Sequence, residues 1–365
     1  MKTCKFLDGH AGVTNFFSPA GRYRFPSVEF REDVMLLGSD TLLAVRDSFA
    51  SYTALDIDSM ISWDQPSRIR NENMNLLLNL LLSPANRSTM TYTGVLKTAN
   101  GTRDTVICVD TRREKKNPVY SQPYSSAFYP EDSMAVLYYN SCMIYGEEDV
   151  KHYEGYVDAF FDELKSKKIK TLFIDVTHNG GGSDGNNSVI INRLKSEAFT
   201  TKIRMTGKRA GVEEYLKSDL VKKFFSENKT SKNYWLETFG NPIMEKGVAF
   251  LEESAPARDT SYEGKVFVIM GNRTYSAGAN FCLTIKLLKA ATLVGEKAGQ
   301  HYPICGNVIR NILPNSKIMY LMPSTESSYE SPALFKEGYI CPDILYPLKE
   351  DLGLDDYKKI CTIHT

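Results

Sequence analysis

The stretch Lys265–His301, KVFVIMGNRTYSAGANFCLTIKLLKAATLVGEKAGQH, constrains this chain more than any other. The apolar run Val266–Met270 reads as a strand that ends at the turn signal Gly271-Asn272. Small residues then surround one serine, in Tyr275-Ser276-Ala277-Gly278-Ala279, and an apolar helix follows from Phe281 to Leu288, with a further strand at Thr292–Val294. A serine at such a handover is well sited for nucleophilic attack, because a helix N-terminus offers free N–H groups and a positive end to a developing oxyanion. Small neighbours let a substrate backbone come close. The same local pattern also suits a plain α/β crossover whose serine caps a helix.

The chain around this stretch has 365 residues, enough for one large domain or a core with one or two small ones. Residues 1–30 form an N-terminal segment carrying Asp8-Gly9-His10. Residues 31–110 read as a small α/β domain, with strands at Val34–Leu37 and Thr41–Val45 and a helix at Glu72–Leu82. A hairpin of Thr89–Lys97 and Asp104–Val109 around Asn100-Gly101 completes it. Residues 111–133, charged and then rich in Tyr, Ser and Pro, read as a linker. From Met134 strands alternate with helices: Met134–Tyr139, an amphipathic helix Asp149–Ser166, and the near-continuous apolar strand Lys170–Val176. A helix beginning at Ser188–Leu194 and a strand at Val248–Leu251 lead into the Ser276 stretch. This alternation predicts an α/β core over 134–350, with 351–365 as a C-terminal tail.

A second stretch, Asp175-Val176-Thr177-His178-Asn179-Gly180-Gly181-Gly182-Ser183, puts three bare amides directly after a buried strand. Such a loop can approach an anion or a peptide carbonyl. It carries neither G-K-[ST] nor G-x-G-x-x-G, which argues against a nucleotide.

Lys+Arg and Asp+Glu balance at 44 each, which speaks against a nucleic-acid partner. No apolar run reaches the roughly 20 residues of a membrane span. The seven cysteines are dispersed and predict buried free thiols rather than a disulfide framework, and the five histidines show no ligand spacing. No metal and no cofactor is expected.

Taken together, the two stretches resemble the S41 family of serine peptidases, which includes tail-specific and C-terminal processing proteases, the tricorn core and retinoid-binding modules. The family pattern D-L-R-x-N-G-G-G is similar to Asp175–Gly182. Its nucleophile segment resembles Thr274-Tyr275-Ser276-Ala277-Gly278 followed by Val294-Gly295-Glu296. A late G-x-x-P-D-I element resembles Gly338–Ile344, which has one extra residue, and an early D-G-H-[TS] element is similar to Asp8-Gly9-His10-Ala11. The resemblance implies a crotonase/ClpP-like core and places residues 31–110 where many members carry a PDZ-like domain. It implies Ser276 as nucleophile, with an oxyanion hole from the N–H of Ala277 and one from Gly180 or Gly181. The substrate would be a polypeptide and the setting periplasmic or otherwise extracytoplasmic, with a leader absent from this sequence, since Met1–Leu7 lacks a signal-peptide core.

The chain departs from the processing proteases at the base. His301 stands where their dyad lysine is expected, and Ala279 where many carry a glutamate. Tricorn-like members imply instead His10 as general base and Glu337 as the group that orients or polarises the site, with His301 as the alternative base. Two other functions remain open: a catalytically inactive protein that binds a peptide or other ligand, and a crotonase-like acyl-CoA enzyme. Substrate preference and oligomeric state are left open.

Overall fold

The computed structural model describes residues 12–14, 28–31, 34–46, 51–58, 74, 77–78, 91–108, 118–227, 229–257, 262–312, 319–329, 335–336, 338–349 and 351–362. By contacts the chain divides into two compact units. One holds residues 1–115, 208–233 and 305–325, the other 116–207, 234–304 and 326–365. The stretch expected as one core, 134–350, therefore lends two segments to the first unit.

Antiparallel pairing builds the N-terminal part of the first unit. Its strands are β1 (Gly12–Thr14), β2 (Val28–Arg31), β3 (Val34–Leu37), β4 (Asp40–Arg46), β5 (Ser51–Tyr52), β6 (Thr91–Thr98) and β7 (Gly101–Cys108). One sheet runs β2-β3-β4-β6-β7, with β5 on β4. In β2 the alternation Val28-Glu29-Phe30-Arg31 turns the two apolar side chains inward and leaves Glu29 and Arg31 outside, paired at 3.0 Å. Helix α1 (Ala54–Asp58) starts on a reciprocal cap: Thr53 N–H donates to Asp56 Oδ2 at 3.0 Å, and Asp56 N–H to Thr53 Oγ1 at 3.2 Å. Phe30, Met35, Val45, Ile57, Met74 and Leu78 are fully buried together.

The rest of the chain runs β8 (Tyr124–Tyr129), β9 (Met134–Tyr139), α2 (Glu147–Ser166), β10 (Thr171–Asp175), α3 (Asn187–Ile191), β11 (Phe199–Gly207), α4 (Arg209–Lys217), α5 (Asp219–Glu227), α6 (Lys229–Trp235), α7 (Asn241–Lys246), β12 (Val248–Ala255), β13 (Lys265–Met270), α8 (Ala277–Leu288), β14 (Thr292–Gly295), β15 (Ile304–Ile312), β16 (Met319–Tyr329), β17 (Phe335–Lys336), β18 (Tyr339–Ile340), β19 (Ile344–Leu345) and α9 (Leu354–Thr362).

The second unit is organised on a six-stranded sheet, β19-β14-β13-β10-β9-β8, parallel except for β8 at its edge. Its central strands are nearly continuous apolar runs because both faces are covered. Successive residues of β9 point to opposite sides. Ala135, Leu137 and Tyr139 pack with Val157 and Phe160 of α2 and Phe281 and Ile285 of α8. Met134, Val136 and Tyr138 pack with Phe173, Phe267 and Tyr357. This gives an α/β core accompanied by a small N-terminal domain. No helix among the described residues is long and apolar enough to cross a membrane.

Two segments differ from their sequence reading. Within 111–133, expected as a linker, Tyr124–Tyr129 forms β8, in register with β9 from Tyr124↔Tyr139 to Tyr129↔Met134. Its serines and flanking prolines hide the strand signal, but Tyr124 and Phe128 pack onto one face of the sheet and Ala127 and Tyr129 onto the other. The expected tail 351–365 is largely helix α9, whose Tyr357 and Ile360 are fully buried on the second face of the sheet. Charged residues between these two positions break up the apolar signal, leaving a narrow stripe with a helical spacing.

Candidate active site

The turn after β13 is closed from within. Gly271 N–H donates to Thr274 Oγ1 at 2.9 Å, Thr274 N–H returns to Gly271 O at 2.9 Å, and Thr274 Oγ1 donates to Val176 O at 2.9 Å. That last bond ties the turn to the end of β10. Tyr275 N–H then donates to Asn179 O at 2.9 Å. Ser276 follows with φ 51° and ψ −125°, immediately before α8. A non-glycine residue in this region stores about 1–3 kcal/mol of strain and persists only where its surroundings hold it. Here Gln300 takes part: its Oε1 accepts the Ser276 N–H at 3.3 Å, and its Nε2 donates to the His301 carbonyl at 2.9 Å.

The glycine loop lies directly against this serine. A Cβ on Gly181 (φ 104°) would sit 2.6 Å from Ser276 Cβ, 3.1 Å from Ser276 Oγ and 3.0 Å from the Ala277 nitrogen. A Cβ on Gly182 (φ 140°) would overlap the Cys142 carbonyl at 2.4 Å. Both positions demand glycine, for backbone angle and for space. The loop is held by Asn179, which is fully buried. Its Nδ2 donates to Tyr139 O at 2.9 Å, and its Oδ1 accepts the Gly181 N–H at 3.0 Å and the Cys142 thiol at 3.4 Å. Gly181's N–H is thus turned toward Asn179. Among the described residues no hydrogen bond takes the N–H of Gly180 or of Ala277. Burial pushes the Cys142 thiol up to about 11, so it is a neutral donor in this network.

Of the residues expected to act with Ser276, the base His10 and the orienting Glu337 lie outside the described residues. His301 is half-buried and bridges to Tyr339, with its ring edge-on to the Tyr339 ring at 5.0 Å. Its Nε2 covers Gly338, where a Cβ would come within 2.2 Å. Among the described contacts no hydrogen bond joins its imidazole to Ser276. The nearby Lys297 ammonium sits over the Tyr339 ring, 4.2 Å from its centroid. The His178 ring stacks on Tyr120 with centroids 3.8 Å apart, and its Nδ1 is 3.1 Å from Thr177 Oγ1.

Several residues had no role in the sequence reading. Asp175, fully buried at the end of β10, accepts from Thr177 N–H at 2.9 Å, Thr177 Oγ1 at 2.6 Å, Tyr357 OH at 3.0 Å and Tyr120 OH at 3.4 Å. Burial first, and then the Asp175 charge, push the Tyr357 and Tyr120 phenols far above their usual range, so both are donors only. Gln300, Cys142 and Asn187 likewise carry no motif that would mark them.

Ser276 thus stands in a strained conformation at a helix start, packed on the glycine loop, beyond the ends of two adjacent parallel strands. Residues 141–307 match the model of peptidase family S41. The structure is similar to that of mature CPAF complexed with lactacystin, 14% identical with a TM-score of 0.54, covering 98% of this chain and 84% of that one. It is also similar to mature CPAF, 14% identical with a TM-score of 0.51, covering 97% and 83%. At such identities these likenesses establish the fold. A comparison with curated proteins finds no match.

Proposed function

We propose that the chain is a serine endopeptidase acting on polypeptides, with Ser276 as nucleophile. The observation that carries this reading is the contact between Gly181 and Ser276, which leaves the Ala277 N–H and the glycine loop beside the Ser276 hydroxyl. Ser276 Oγ attacks the scissile carbonyl while its proton passes to a histidine. The oxyanion is received by the N–H of Ala277 and that of Gly180, since Gly181's is committed to Asn179. Collapse releases the amine, which takes the proton, and water hydrolyses the acyl-enzyme by the reverse order of transfers. His10 serves as base, with Glu337 orienting the site. What supports His10 over His301 is the engagement of the His301 ring with Gly338 and Tyr339.

The test is labelling by a fluorophosphonate, with lactacystin, the ligand of the similar CPAF structure, as a second probe. The wild-type protein labels and cleaves an unfolded polypeptide, Ser276→Ala does neither, and His10→Ala slows labelling more than His301→Ala. A wild-type protein that is folded yet neither labels nor cleaves overturns the peptidase reading in favour of a ligand-binding protein.

A further inference from the structure

The glycine loop and the start of α8 come from distant parts of the chain, and one buried side chain joins them. Asn187 Nδ2 donates to the Ala277 carbonyl at 2.9 Å, across 90 positions of sequence. Its Oδ1 accepts the Tyr139 hydroxyl at 3.0 Å and the Cys142 thiol at 3.4 Å. Cys142 in turn donates its backbone N–H to Gly181 O at 3.0 Å, and its thiol also reaches Asn179 Oδ1. The carboxamide orientation is set by chemistry, because a backbone carbonyl only accepts and a nitrogen must face it. Asn187 is 5% exposed. An apolar side chain at this depth would fill space without the desolvation cost of an amide. The amide's contribution is direction, not packing.

We propose that Asn187 is the positioning residue that holds the two halves of the oxyanion hole in register. This rests on the reading of Ser276 as nucleophile. Asn187 fixes the Ala277 carbonyl and, through the adjoining backbone torsions, the direction of the Ala277 N–H. Through Cys142 it fixes the same N–H against the glycine loop. Donors aimed in advance at the oxyanion are what such a site needs, and a displacement of about 1 Å can cost on the order of a hundredfold in rate.

The experiment measures fluorophosphonate labelling rates and peptide kinetics on the full chain for Asn187→Ala, Tyr139→Phe and the double variant, each verified as folded by its thermal melt. Asn187→Ala lowers the labelling rate and kcat by about ten- to a hundredfold with KM held within about twofold, the pattern of a lost transition-state interaction. Tyr139→Phe lowers them less, and adds nothing in the Asn187→Ala background, because its hydroxyl acts through Asn187. Asn187→Asp provides a pH readout that a simple packing role does not produce. Its neutral acid can donate to the Ala277 carbonyl and its carboxylate cannot, so its labelling relative to wild type recovers as pH falls. Folded Asn187→Ala that labels within twofold of wild type overturns the proposal while leaving the Ser276 reading intact, as do independent, multiplicative losses in the double variant. If Asn187→Ala does not fold, an unchanged rate in Tyr139→Phe together with a flat pH ratio in Asn187→Asp overturns it. A wild-type protein that fails to label overturns the Ser276 reading, and this proposal with it.

Discussion

Two buried polar networks leave the end of β10 in different directions, and they are made of different chemistry. Toward Ser276 the network is neutral: the carboxamides of Asn179 and Asn187, the Cys142 thiol and the Tyr139 hydroxyl. Toward α9 it is centred on a buried carboxylate, Asp175, with Tyr357, Tyr120 and Thr177 as donors. Charge-assisted hydrogen bonds are the stronger kind, so the carboxylate stands where the task is to clamp a helix to the sheet. On the proposed reading of Ser276 as nucleophile, a buried anion beside it would oppose the charge that develops on the attacked carbonyl. Neutral amides position the loop without that penalty. The difference teaches that one strand end can serve as a charged scaffold anchor on one side and as a neutral template for the proposed site on the other.

Substitutions can break or sharpen this contrast. The largest effect is expected from Gly181→Ala, whose methyl would sit 2.6 Å from Ser276 Cβ at a backbone angle that side chains avoid. Fluorophosphonate labelling should fall by at least about a hundredfold, as expected when reacting groups are displaced by about an ångström. Labelling at the wild-type rate would remove the Gly181–Ser276 contact from any account of the site. Gly278→Ala is expected to act more mildly on the same network. Its methyl would meet Asn179 O at 2.5 Å, costing about 1–3 kcal/mol of stability in a denaturant titration and slowing labelling by about tenfold.

On the scaffold side, Tyr357→Phe removes a donor to Asp175 and should lower unfolding free energy by about 1–3 kcal/mol, with the labelling rate of the folded protein unchanged. A matching loss of labelling would show that the two networks are coupled. The smallest effect concerns α9 itself. The Lys349 hydrogen bond, at 2.7 Å, holds the Asp356 carboxyl below the usual carboxylate range, and the Gly353 N–H adds to it. A depressed folded value means that this group's stabilisation is present above the unfolded value of about 3.9 and is lost as pH falls through the lowered folded value. Asp356→Asn should therefore lose a little Tm at neutral pH and narrow the gap to wild type under acid. An equal gap at both pH values would count against the ion pair.

The parts of the site that were legible in sequence are those with local backbone demands. Gly181 and Gly182 need conformations that other residues avoid, and the small residues around Ser276 mark where a helix starts close to another chain segment. The central strands were legible too, because burial on both faces writes unbroken apolar runs. Strand β8 was not, since an edge strand of Tyr and Ser between prolines takes its register from β9 instead of from its own residues.

By itself the sequence determined the strand–Ser276–helix element, the glycine loop and the alternation that makes an α/β core, because each depends on the torsional and hydrophobic preferences of neighbours in the chain. Only the tertiary structure decided which side chains hold them. Gln300 reaches Ser276 across 24 positions, Asn187 reaches Ala277 across 90, and Tyr357 reaches Asp175 across 182. An Asn or Tyr in isolation carries no record of its hydrogen-bond partner. That pairing is set by the packing that removes water from both, so it exists only once the sheet and its covering helices have closed.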